Sequence, residues 1–90
     1  MRELRRHEEE FEEVDEKTFK VDGGMTIHDA NEELELDLPE DEDFETIAGF
    51  VLSRLGRIPE PGEQFTHDGL KIAVTKVDGN RIEEVTITRL

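Results

Sequence analysis

Phe65-Thr66-His67-Asp68-Gly69-Leu70-Lys71-Ile72-Ala73-Val74-Thr75-Lys76-Val77-Asp78-Gly79-Asn80-Arg81-Ile82-Glu83-Glu84-Val85-Thr86-Ile87 decides the fold. Three strands are legible in it. Asp68-Gly69 fits a two-residue hairpin turn, which pairs His67 with Leu70 and Phe65 with Ile72. Gly79-Asn80 fits a second, pairing Val77 with Ile82, Val74 with Val85 and Ile72 with Ile87. The competing loop, Asp78-Gly79, would set Val74 against Glu83 and makes fewer apolar pairs. Phe65, Leu70, Ile72 and Val74 then share one buried face. Strict alternation puts Val77 and Ile82 on the other face, so the tip of the second hairpin needs a twist, a bulge or a partner.

Upstream, Phe44, Ile47, Ala48, Val51, Leu52 and Leu55 stand at helical spacing and predict one apolar stripe facing that sheet. Asp41 or Asp43 is placed to cap the start, and the acids from Glu40 to Glu45 suit the helix N-terminus. Gly56 is placed as the left-handed residue that ends the helix, with Pro59 beyond it. Gly49 marks a point where another element passes close. An earlier helix opens at Thr26-Ile27-His28-Asp29, a capping pattern, with Ile27, Ala30 and Leu34 on one face. It must end before Pro39, and Leu36 and Leu38 pack in the extended exit. Phe19 and Val21 alternate with polar residues before Asp22-Gly23-Gly24 and read as a strand. Phe11 to Val14 pairs with it, Val14 opposite Phe19. The order is β-β-α-α-β-β-β: an α+β domain, an antiparallel sheet with two helices on one face.

Ninety residues allow one domain, and residues 1–10 read as a tail or linker before a domain over 11–90. Lys and Arg number 11 against 25 Asp and Glu, a net charge of −14. That balance argues against nucleic acid and against an anionic membrane surface. With no cysteine, disulfides and thiolate metal sites are excluded. No apolar run approaches a bilayer span, and no membrane insertion is expected.

The chemistry-bearing residues are sparse. Ser53 falls mid-helix on the polar side with no base, so serine hydrolysis is not expected and the chain reads as no enzyme. His7, His28 and His67 lack zinc-ligand spacing. The acidic run Asp37 to Glu45 offers Asp41 and Asp43 as candidate ligands for a divalent cation, against the default of a solvated turn, because no Asp-x-Asp-x-Asp-Gly loop is present. Asp22-Gly23-Gly24 is not a phosphate loop. Phe50, off the helical stripe, and Val77 and Ile82, off the sheet's main face, are the candidate interaction residues: exposed apolar side chains on so charged a domain mark a contact surface. The contact is a second copy in a homodimer or the rest of a parent protein.

The stretch Asp37-Leu38-Pro39, the run from Glu45-Thr46-Ile47-Ala48-Gly49 through Leu55-Gly56-Arg57-Ile58-Pro59-Glu60-Pro61-Gly62-Glu63, then Asp68-Gly69-Leu70 and Asp78-Gly79-Asn80-Arg81-Ile82, resembles the transporter-associated domain of the CorC/HlyC type over residues 11–90. The resemblance implies a regulatory domain on the cytoplasmic side of a bacterial magnesium and cobalt efflux or haemolysin-like membrane protein, after a pair of CBS domains. It implies a fold like half of a flavin-dinucleotide-binding domain, hence a flavin or adenine dinucleotide as an alternative ligand, and it carries no catalytic residues. An acidic divalent-cation-binding domain is the third alternative. Glu83-Glu84 stands where relatives are often basic, which disfavours a dinucleotide phosphate on that strand.

Overall fold

The computed structural model describes residues 10–90; all but the last residue of the expected tail lies outside them. Strands β1 (Phe11–Glu13) and β2 (Thr18–Asp22) are followed by helices α1 (Ile27–Leu34) and α2 (Ile47–Leu55) and by strands β3 (Gln64–His67), β4 (Leu70–Asp78) and β5 (Arg81–Arg89). One five-stranded antiparallel sheet results, in the order β1-β2-β5-β4-β3. The expected α+β class and element order are therefore observed.

The two late hairpins have the expected register: His67 faces Leu70, Phe65 faces Ile72, Val77 faces Ile82, Val74 faces Val85 and Ile72 faces Ile87. Gly69 and Gly79 take the positive φ those turns require, with Asp68 also positive. The first pair is shifted from expectation. Phe11 opposes Val21 and Glu13 opposes Phe19, so Val14 lies past the strand, its amide on the Thr18 carbonyl, and is exposed.

The tip of the second hairpin corrects strict alternation. Pairing slips between Val74 and Lys76 and again between Lys76 and Val77, so one residue on each strand is passed over. The face phase flips on both strands together. Ile82 is thereby 2 % exposed and in the core, and Val77 is half-buried against it.

α1 begins as expected, Thr26 Oγ1 accepting from the Asp29 amide, and buries Ile27, Ala30 and Leu34. It ends at Glu35 in the left-handed region. Asn31 holds the exit, its side chain donating to the Leu38 carbonyl and accepting from the Leu38 amide, and Leu38 is buried. α2 starts three residues after the later of the two acidic caps expected, Asp43, and five after Asp41. Thr46 is its N-cap, accepting from the Gly49 amide. Asp41 instead accepts from the Asp43 amide in a turn before Phe44. Phe44 thus precedes the helix, and the buried face is Ile47, Phe50 and Val51, with Leu52 and Leu55 half-buried. Gly56 closes the helix at φ 75°, as its sequence position implies.

The two helix starts are knitted to each other and to β5. Thr26 and Thr46 form a bridge, the Ile27 amide bonds the Glu45 carbonyl, the Ile47 amide bonds the Met25 carbonyl and the Ala48 amide bonds the Gly23 carbonyl. Gly23 donates to the Glu83 carbonyl at 2.8 Å, and a Cβ there would sit 2.1 Å from the Ile82 carbonyl oxygen. The close approach expected at Gly49 is real but local: a Cβ there meets Phe44, 3.0 Å away, in the lead-in to the same helix.

Candidate functional site

Core residues alternate along the sheet: Phe19 and Val21, Leu70, Ile72 and Val74, Val85 and Ile87 all face the helices and are buried. The positions between them form the other face, which no helix covers among the described residues. On it Lys20 pairs with Thr86, Thr86 with Ala73, Thr18 with Thr88 and Thr88 with Lys71. Thr18 and Thr88 join through their hydroxyls, 3.3 Å apart. Lys20, Lys71, Ala73, Thr86 and Thr88 are all half-buried by one another, which makes this a flat floor of short side chains edged by lysine stems.

Its charges differ from those of the helical side. Lys20 lies 3.9 Å from Glu12, and Lys76 lies 3.8 Å from Glu84. Lys71 has no ion-pair partner among the described residues. Between Asp29 and Glu45, by contrast, the chain carries ten carboxylates and no Lys or Arg. That segment is purely acidic, whereas the strands and their turns carry both signs, Lys20, Lys71, Lys76, Arg81 and Arg89 among Glu12, Glu13, Asp22, Glu83 and Glu84.

On the acidic side a hollow of about 410 Å³ is lined by Thr26, Ile27, His28, Asp29, Glu40, Asp41, Phe44 and Glu45. The His28 ring bridges Glu32 and Glu40, each 3.5 Å away, and all three are well exposed. Such a lining favours cations over anions. Asp41 belongs to it, but among the described residues no three His, Asp or Glu side chains gather to hold a metal ion. The lining of this hollow does not suit a pyrophosphate either. A pyrophosphate needs cations or free helix amides, and this hollow is rimmed by carboxylates. The hollow beside β2 and β5 has Asp15 and Glu16 against the single Lys17.

The expected interaction residues are not a surface. Phe50 is 2 % exposed, its ring 5.5 Å from that of Phe44, 6.1 Å from that of Phe65 and 5.3 Å from that of His67. Ile82 is in the core with Val77 against it. Neither docking nor exposure can rest on these three; their role is packing.

Three arginines hold the periphery. Arg54, in the last turn of α2, donates to His67 Nδ1 at 2.8 Å and lies 4.9 Å from the Phe65 ring centre. Arg57 forks onto both oxygens of Glu63 at 2.8 and 2.6 Å. That guanidinium, with the Glu60 amide, holds the Glu63 carboxyl down to about 2, so it stays ionised throughout the ordinary pH range. Arg89, at the end of β5, donates to the Leu34 and Glu35 carbonyls, closing the C-terminus of α1, and lies over Phe19. The Arg89 clamp was missed in the sequence; its signal was a helix with no base of its own in its last turn.

Among the described residues no helix is long and apolar enough to cross a membrane. The family model for CorC_HlyC, the transporter associated domain, matches residues 12–90. The polyamine export protein of Salmonella typhimurium is 36 % identical over 84 residues, covering 92 % of this chain and 19 % of its own length. The chain thus spans about a fifth of the length of the curated polyamine export relatives it matches. A solved CorC_HlyC transporter associated domain from Nitrosomonas europaea is 34 % identical, with a TM-score of 0.80, covering 89 % of this chain and 95 % of that one. An Mg2+ and Co2+ transporter (CorC)-associated region from Neisseria meningitidis superposes with a TM-score of 0.81 at 26 % identity, over 90 % of this chain and 99 % of that one.

Proposed function

Because this chain belongs to the CorC_HlyC transporter-associated domain family, we propose that it is a non-catalytic regulatory module of a membrane protein that exports cations, and that it acts by docking on the rest of that protein. The carrying observation is the one-sided sheet. Among the described residues two helices cover one face, and the other is a half-buried row of Thr18, Thr86, Thr88, Ala73, Lys20 and Lys71 with no described element over it. An antiparallel sheet can leave one face to water; here that face carries short side chains, over which a partner's surface can lie close to the strands. The open face replaces Phe50, Val77 and Ile82 as the contact surface.

On this reading the module lies on the cytoplasmic side and docks against the CBS and membrane portions of its parent. The exported ion is magnesium or cobalt, as the name of the Neisseria neighbour supports; the Salmonella relative's name points to an organic cation instead. In either case the cargo is cationic and the module biases transport without touching its chemistry. The test uses Lys71→Glu and Thr88→Arg in the full-length protein, reconstituted in vesicles and assayed for cation efflux. Efflux is expected to change several-fold in both, while the same substitutions in the 90-residue chain leave its circular dichroism and melting temperature near those of the parent sequence. Unchanged efflux in both variants overturns docking by this face.

A further inference from the structure

The Arg54–His67 contact fixes a proton. A guanidinium has donors and no acceptor, so at 2.8 Å His67 Nδ1 must present its lone pair to Arg54 Nη1. Neutral His67 therefore carries its hydrogen on Nε2. The only nitrogen left to take a second proton is the one Arg54 occupies.

Around this contact the parts converge on one strand edge. β3 is the outer strand of the sheet. In a two-residue hairpin the pair beside the turn, His67 and Leu70, exchanges both ladder bonds, so Thr66 one residue on turns its carbonyl outward. Arg54 Nη2 reaches that carbonyl at 3.5 Å while its guanidinium covers the Phe65 ring at 4.9 Å. The His67 ring stands edge-on to Phe50 at 5.3 Å, which holds its orientation. One arginine thus ties the end of α2 to the free edge of the sheet through three contacts.

We propose that Arg54 and His67 form a proton-sensitive latch between α2 and β3, closed while His67 is neutral and open once its Nδ1 is protonated. Protonation removes the acceptor and sets two cations against each other at hydrogen-bond distance. Arg54 then leaves His67, Phe65 and the Thr66 carbonyl together, freeing an edge carbonyl and one face of an aromatic ring. The charged groups beside His67 are Arg54 from α2 and Asp68, next to it in the hairpin turn; Glu35, Asp37 and Arg89 line a hollow with Asp68 on the far side of that turn. Arg57 cannot take Arg54's place, since Glu63 holds it. This device is independent of the docking face and stands or falls separately from it.

Nuclear magnetic resonance of the 90-residue chain tests it. Between pH 8 and pH 5, with ring nitrogens labelled, His67 is expected to show the Nε2–H tautomer when neutral. The Arg54 guanidinium and Phe65 ring signals are expected to shift with the same midpoint as the His67 ring. Arg54→Lys, which keeps the charge but not the fork, is expected to abolish the linked Phe65 shift while the amide spectrum stays folded. An Nδ1–H tautomer, or Arg54 and Phe65 signals that ignore the His67 titration, overturns the latch. His28, bridged by Glu32 and Glu40 at the far side, serves as the internal control.

Discussion

Phe50→Ala is expected to destabilise the domain by about 3–5 kcal/mol, the range for removing a fully buried aromatic ring. In a domain of this size that lowers the melting temperature by roughly 12 °C or more. The reason is its position. Phe50 is among the largest fully buried side chains, and it joins Phe44 ahead of α2 to Phe65 and His67 on β3. Its loss leaves a cavity walled by three rings on two separate elements, the lead-in to α2 and β3, which cannot collapse onto it together. Phe50→Asp, harmless if Phe50 lay on the surface, is expected to leave the chain unfolded. Urea and thermal unfolding followed by circular dichroism measure both. A loss below 1 kcal/mol for Phe50→Ala, or a folded Phe50→Asp, would contradict the packing described.

Gly23→Ala has the second large expected effect. The added methyl would lie 2.1 Å from the Ile82 carbonyl oxygen and 3.1 Å from its carbon. Both belong to backbone inside the bulged part of β5, so no side chain can swing away. The strain is relieved only by moving β5 off the loop that starts both helices, breaking the bond from Gly23 to Glu83. A cost of about 3 kcal/mol is expected, at the upper end for overpacking. Gly49→Ala is the comparison. Its methyl meets the Phe44 Cβ at 3.0 Å, on a segment outside the helix, and the gain in helix propensity of about 1 kcal/mol offsets much of that crowding. The same unfolding curves separate the two; equal, small losses would show that the Gly23 contact relaxes easily.

What was legible in the sequence was what local chemistry decides. Asp68-Gly69 and Gly79-Asn80 specify their turns, and period two carries the register from each turn down the strands. Thr26 before an apolar periodicity, and Gly56 after one, mark helix ends by their own side-chain and backbone preferences. The family resemblance, read from the same turns and the Leu-Gly-Arg-Ile-Pro run, agrees with the family match. What was not legible depends on contacts distant in sequence. The slips beside Lys76 are invisible to a pattern that assumes unbroken alternation, so Val77 and Ile82 were placed on the wrong face. Acidic residues before α2 outnumbered Thr46 as caps, and counting Phe44 into the helix rotated the stripe away from Phe50. Gly23 looked like an ordinary turn glycine because its neighbour, Ile82, is far along the chain. The candidate surface failed with those faces, and the open sheet face emerged only once the strand order was known.

That face is the centre of the account, and cysteine labelling tests it most directly. The chain has no cysteine, so a single substitution gives a clean reporter. Thr86→Cys places a thiol at the middle of the open face, and Ser53→Cys places one on the exposed side of α2; the second change is nearly isosteric and the first removes one methyl group. Maleimide reactivity is compared between the 90-residue chain and the full-length parent protein, with the labelled peptide read by mass spectrometry. The account predicts that Thr86→Cys reacts readily in the isolated chain and at least several-fold more slowly in the full-length protein, while Ser53→Cys reacts alike in both. Equal reactivity of Thr86→Cys in the two settings would contradict it.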